Sequence, residues 1–217
     1  MPLRLEIPHH LLVLENPSCP LKKSPRRSTV SIYINIAEGK SVKYFIITLL
    51  TFLISACSPS LGIEHSDESV TQIRLSTTNP AFKAAQYLNY TERTHRAELR
   101  EYTGVDPVRT EWCAAFVNAV LEESKIDSNN DHKYPLTARA FLDWGRKINK
   151  DDIQPGDVVV FPRGNQGWQG HVGFYLKTQT LNGVDYYLIL GGNQSNKVSI
   201  VPYRASRALG IRRQSTI

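Results

Sequence analysis

Apolar positions recur with two different periods, and the change between them divides the chain. From Glu111 to Leu121 the pattern is helical: Phe116, Val120 and Leu121 fall at i, i+4 and i+5, with alanines between them that allow close approach. A helix is predicted over 113–124 with Cys113 at its head. Asn79-Pro80 signals a helix start before Phe82-Lys83-Ala84-Ala85-Gln86-Tyr87-Leu88. Further helices are predicted over 91–102, where Leu99 and Tyr102 share a face with His95, and over 137–148, where Gly145 shortens or kinks the element. Glu92 and His95, three apart, read as a solvated helix face rather than a metal pair.

After residue 151 the period falls to two. Gln154-Pro155-Gly156-Asp157 is a turn, and Val158-Val159-Val160-Phe161 is a β-branched run suited to a buried strand. A loop at 164–170 precedes His171-Val172-Gly173-Phe174-Tyr175-Leu176, whose alternation puts His171, Gly173 and Tyr175 on one face. Asn182-Gly183 is a hairpin turn. It leads into 185–190, and short strands follow at 198–201 and 210–213. Helices first and hairpin-linked strands afterwards indicate an α+β domain with an antiparallel sheet, expected over 81–217.

The segment before residue 81 reads differently. Residues 1–41 carry no sustained period, and 42–57 is a Lys-flanked apolar run of about a dozen residues ending Ile54-Ser55-Ala56-Cys57. That is the pattern of a secretory signal peptide, too short for a membrane-crossing helix of roughly 20 residues. Its end resembles a bacterial lipobox, with Cys57 the lipidated residue. Met1 is the only methionine, so translation is expected to begin at Val42, leaving 1–41 as an upstream or disordered extension. Residues 58–80 are polar and read as a flexible tether. The expected location is the bacterial envelope, at the outer membrane facing the periplasm, because Ser58 rather than Asp follows Cys57.

Charge removes one class of function. The net charge is +6, but residues 1–57 hold 7 of the 26 Lys+Arg and 3 of the 20 Asp+Glu, so the remainder carries only +2. A nucleic-acid partner therefore has no electrostatic footprint. The three cysteines, Cys19, Cys57 and Cys113, have no disulfide or zinc spacing. With Cys57 acylated, Cys113 is the lone free thiol of the mature chain, which favours a catalytic role. Its place at a helix N-terminus favours the thiolate.

A cysteine nucleophile needs a base and a group that holds the base. Of the six histidines, only His171 opens a core strand, and Gly170 and Gly173 leave room around its ring. The hairpin brings Asn193 back beside that strand. The candidate triad is therefore Cys113, His171 and Asn193, with Gln194 the less favoured orienter because alternation sends it to the opposite face. Trp112 either walls a substrate groove or fills the core. Trp168 and Gln194 are further candidates for substrate contact.

Four ordered blocks carry a family resemblance: Trp112-Cys113-Ala114-Ala115-Phe116, Pro155-Gly156-Asp157-Val158-Val159-Val160-Phe161, Gly170-His171-Val172-Gly173-Phe174-Tyr175 and Gly191-Gly192-Asn193-Gln194. They resemble the CHAP and NlpC-like cysteine peptidase/amidase superfamily over roughly residues 80–213. The resemblance implies a papain-like fold with the nucleophile helix packed on an antiparallel sheet. It implies cleavage of a peptidoglycan amide, either the muramoyl-L-alanine bond or a stem-peptide bond, by a monomer that needs no metal or cofactor. Many CHAP domains carry Glu two residues before the Asn, where this chain has Gly191, so orientation of the base would fall on Asn193 alone. A non-catalytic wall-binding or envelope-assembly lipoprotein on the same fold is the alternative.

Overall fold

The computed structural model describes residues 29–34 and 71–215. The chain divides into two compact units, and the second, which includes Arg74–Ile217, holds the elements that build the site. The expected signal segment 42–57, with Cys57, and most of the expected 1–41 extension lie outside the described residues. Strands β1 (Thr29–Ile34) and β2 (Thr71–Ser76) pair as a two-stranded sheet. Both occupy stretches read above as irregular. Gln72-Ile73-Arg74-Leu75-Ser76 alternates polar with apolar residues and Leu75 is buried, so this end of the expected tether is strand.

Three helices precede the main sheet. Helix α1 (Pro80–Ala85) starts where Asn79 caps it, its side-chain oxygen accepting from the Ala81 N–H at 2.9 Å. Helix α2 (Arg96–Thr103) ends at Gly104, whose φ of 73° closes a left-handed cap. Helix α3 (Cys113–Glu123) is buried along most of its length. Its one deeply buried amide, Asn118, accepts from the Asn129 N–H (2.8 Å) and donates to the Pro135 carbonyl (3.2 Å), tying the following loop to the helix. The helix expected over 137–148 is shorter than its apolar spacing suggests. A 3-10 helix covers Ala138–Leu142, and the backbone then turns at Gly145 (φ 56°) into β3 (Arg146–Lys147). A Cβ at Gly145 would collide with the Arg213 carbonyl, so this turn requires glycine.

The remaining strands are β4 (Val158–Pro162), β5 (Gly170–Leu181), β6 (Val184–Gly191), β7 (Ser199–Arg204) and β8 (Gly210–Arg213). They form one antiparallel sheet in the order β3-β8-β4-β5-β6-β7. The β5–β6 hairpin turns on Asn182 (φ 50°) and Gly183 (φ 73°), as the Asn-Gly pair demands.

The sheet is curled. Phe161 on β4 stacks on Tyr203 on β7 with ring centroids 4.6 Å apart. Those strands are three ladder spacings apart, roughly 14 Å if the sheet were flat. Curling gives the sheet two apolar faces. Val159, Phe161, Tyr175, Ile189 and Ile211 fill the concave side, while Val158, Val160, Val172 and Phe174 alternate with them on the other side. An α+β fold with the Cys113 helix against an antiparallel sheet is the arrangement expected of the papain-like class.

One ion pair locks the turn into β4. Asp157, 3% exposed at its side chain, accepts from Arg213 Nε (2.6 Å) and Nη2 (2.7 Å) and from the Gln154 N–H (2.8 Å). The Gly-Asp of that turn thus joins the first residues of β4 to the end of β8, and every oxygen of a buried carboxylate is satisfied.

Candidate active site

Cys113 stands at the first position of α3 and is 3% exposed; His171 stands second in β5 and is 1% exposed. The two are brought together where α3 meets the start of β5. The Val172 N–H, next in the chain to His171, acts on the Cys113 sulfur as a hydrogen-bond donor, as does the Ala114 N–H. Tyr203 stacks on the imidazole, with centroids 5.3 Å apart and planes 18° apart. Tyr203 lies between His171 and Phe161, so the base is held in an aromatic stack. Only the curl of the sheet brings β7 here, which is why no sequence spacing marked Tyr203.

The side chain set against the His171 ring is Gln194, not Asn193. Gln194 Oε1 lies 3.1 Å from His171 Nε2. The other end of the same amide donates to the carbonyls of Ile189 (3.3 Å), Gly191 (3.2 Å) and Ser199. Those carbonyls can only accept, which fixes Nε2 of Gln194 as its donor end and Oε1 as its acceptor. The hydrogen therefore sits on His171 Nε2, and Nδ1 is left as the basic nitrogen. Nδ1 is buried and has no hydrogen-bond partner among the described residues.

Asn193 turns away. Its Nδ2 donates to Glu111 Oε2 at 2.5 Å, and its carbonyl accepts from Arg163 Nη2 at 2.9 Å. The reversal has a backbone cause. Strand β6 ends at Gly191, and Asn193, Ser195 and Asn196 have φ of 55°, 55° and 62°. Alternation does not extend through left-handed residues, so a period-two argument assigns the wrong side chain. Gly191 completes the exchange: a Cβ there would lie 3.5 Å from His171 Nε2. The position at which many CHAP domains carry Glu thus borders the ring nitrogen, and here Gln194 reaches that nitrogen from three residues further on.

The other expected substrate contacts separate. Trp112 is fully buried, donates from Nε1 to Glu92 Oε1 (2.8 Å) and packs edge-on against Phe116, so it belongs to the core rather than to a groove. Gly192 exists to admit it, since a Cβ there would overlap the indole and approach Phe116 Cβ to 2.8 Å. Gln194 is 3% exposed and committed to His171. Trp168 is 66% exposed on the β4–β5 loop. That loop is braced by Gln169, whose Oε1 accepts from the N–H groups of Asn165 (2.8 Å) and Gln166 (3.0 Å) and whose carbonyl accepts from Arg139 (2.7 Å). His95 stacks on Tyr90, so Glu92 and His95 serve separate packing roles. Among the described residues no cluster of three or more His, Cys, Asp or Glu could hold a metal ion.

Burial sets the charge state. It pushes the Cys113 thiol up, against the opposing pull of Arg163 and the Val172 and Ala114 N–H groups. It pushes His171 down to about 4, with Arg163 adding to the effect and Gln194 opposing it. A thiolate at the helix head was the expectation. In the closed site both partners are neutral, because desolvation outweighs the helix N-terminus.

Residues 105–193 match the CHAP domain family. The matched CHAP segment contains Cys113 and His171 and stops one residue short of Gln194. No curated protein matches the chain. Among solved structures it is similar to the P60 domain of an antigen from M. avium subspecies paratuberculosis, at 21% identity and a TM-score of 0.33, covering 48% of this chain and 66% of that one. It is similar also to an NlpC/P60 family protein from Bacillus cereus, at 14% identity and a TM-score of 0.39, covering 67% of this chain and 45% of that one. The chain thus spans less than half of the second protein.

Proposed function

We propose that the chain is a cysteine-dependent peptidoglycan hydrolase that cleaves an amide bond through Cys113, His171 and Gln194. The observation that carries this reading is the state of His171: Nε2–H is committed to Gln194, Nδ1 is left buried and without a partner, and the N–H of the next residue, Val172, reaches the sulfur of Cys113, the only free cysteine among the described residues. The CHAP match over the same segment supports it.

When substrate enters, His171 Nδ1 takes the thiol proton as Cys113 Sγ attacks the amide carbonyl. The Gln194 carbonyl stabilises the imidazolium through Nε2–H. The N–H groups at the head of α3 face the developing oxyanion. His171 then returns the proton to the leaving amine, and water, deprotonated by the same nitrogen, resolves the thioester. Trp168, exposed on its braced loop, is the aromatic surface available to substrate.

The burial of both reacting groups favours one rival, a wall-binding module on the same fold. Incubating the chain and its Cys113→Ala variant with purified peptidoglycan, followed by mass spectrometry of soluble products, separates the two. Fragments from wild type only are expected. Release of whole stem peptides identifies an amidase, and cut stems identify an endopeptidase. Fragments from both proteins would overturn the mechanism, and wall bound without release would establish the binding module.

A further inference from the structure

The contacts of Asn193 describe a second feature at the mouth of the site. Asn193 Nδ2 and Arg163 Nη1 converge on one oxygen, Glu111 Oε2, at 2.5 and 3.5 Å. Arg163 is steadied from behind by its 2.9 Å bond from Nη2 to the Asn193 carbonyl, and Asn193 is only 5% exposed. The carboxylate they hold is different in kind. The Glu111 side chain is 81% exposed, against 40% for Arg163. An amide from the β6–β7 loop and a guanidinium from the β4–β5 loop thus form a cradle for one carboxylate, occupied by an exposed side chain two residues before Cys113. Exposed ion pairs of this sort are weak, so Glu111 is readily displaced.

We infer that the Arg163–Asn193 cradle is a specificity subsite for a substrate carboxylate beside the scissile amide, with Glu111 as its internal placeholder. Arg163 belongs to the reacting region, since its charge is felt at Cys113, His171 and Tyr203. A carboxylate arriving on the substrate accepts both hydrogen bonds with a full negative charge set against the guanidinium, whereas a carboxamide oxygen accepts them without that charge. The reading rests on the hydrolase proposed above and adds what that hydrolase selects.

The test uses two soluble muropeptides that differ only in whether the glutamyl α-carboxyl is free or amidated. The full chain is expected to prefer the free acid by about tenfold or more in kcat/KM, through KM. Arg163→Ala and Arg163→Lys should both shrink that ratio, Lys less, and Glu111→Gln should lower KM for the acid. Equal rates on both muropeptides, or a ratio unchanged in Arg163→Ala, overturn the inference while leaving the hydrolase intact. If neither muropeptide is cut, titration calorimetry with the Cys113→Ala chain decides: tighter binding of the acid supports the cradle, and equal binding overturns it.

Discussion

Replacing Gln194 tests the proposed Cys113–His171–Gln194 triad directly. In Gln194→Met the side chain keeps its approximate volume but loses the acceptor on His171 Nε2 and the donor to Ile189, Gly191 and Ser199. The imidazolium that forms during attack then lacks its partner. A hydrogen bond to a charged group contributes about 1.5–3 kcal/mol, so kcat should fall roughly 10- to 150-fold. Gln194 Nε2 carries two hydrogens shared among those carbonyls, so its loss removes two hydrogen bonds, about 1 kcal/mol each and some 2 kcal/mol of stability, which in a domain this size lowers Tm by roughly 4–8 °C. Assays well below the variant's Tm therefore separate lost orientation from lost fold. Asn193→Ala should behave oppositely, raising KM through the carboxylate cradle and changing kcat little. Rates come from muropeptide turnover followed by chromatography. If Gln194→Met keeps kcat within about threefold while Asn193→Ala loses tenfold, Asn193 orients the base and the geometric argument fails.

Two further outcomes follow from burial and from the chain's first part. His171 titrates near 4 when folded and near 6.5 when unfolded, so the unfolded state binds more protons between those values. Its contribution is complete above pH 6.5 and is lost as pH falls towards 4, by about 2 to 3 kcal/mol at pH 4.5. Urea denaturation at pH 7 and 4.5 should show that loss in wild type and not in His171→Gln; equal losses would refute it. In a bacterial host, labelled palmitate should enter the chain and be absent from Cys57→Ser. Labelling of both would reject lipidation at Cys57.

Much of the fold was legible because its signals are local. The Asn-Gly hairpin, the β-branched run of β4, Asn79-Pro80 ahead of α1 and the apolar spacing of α3 each act within a few residues, and each element lies close to where its pattern puts it. The misreadings have nonlocal causes. The helix expected over 137–148 breaks because β3 must pair with β8, sixty-odd residues away, and Gly145 supplies the turn. Tyr203 could not be found from spacing, since its place against His171 depends on the curl that closes β4 towards β7.

The third member of the proposed triad was illegible for a different reason. Cys113 and His171 sit within regular elements, and His171 shares a face with Phe161 and Tyr203 as strand alternation predicts. Asn193 and Gln194 sit two and three residues beyond a strand end, in a segment with three positive φ values. There a side chain's direction is set by which backbone groups need partners, and three carbonyls around Gln194 needed one donor. Satisfying them aims Oε1 at the imidazole, so the demand for buried hydrogen bonds selects both the orienting residue and the tautomer of the base. Asn193, released from that task, is free to face Glu111 and Arg163. One local departure from strand geometry thus accounts for the orienter and for the cradle together.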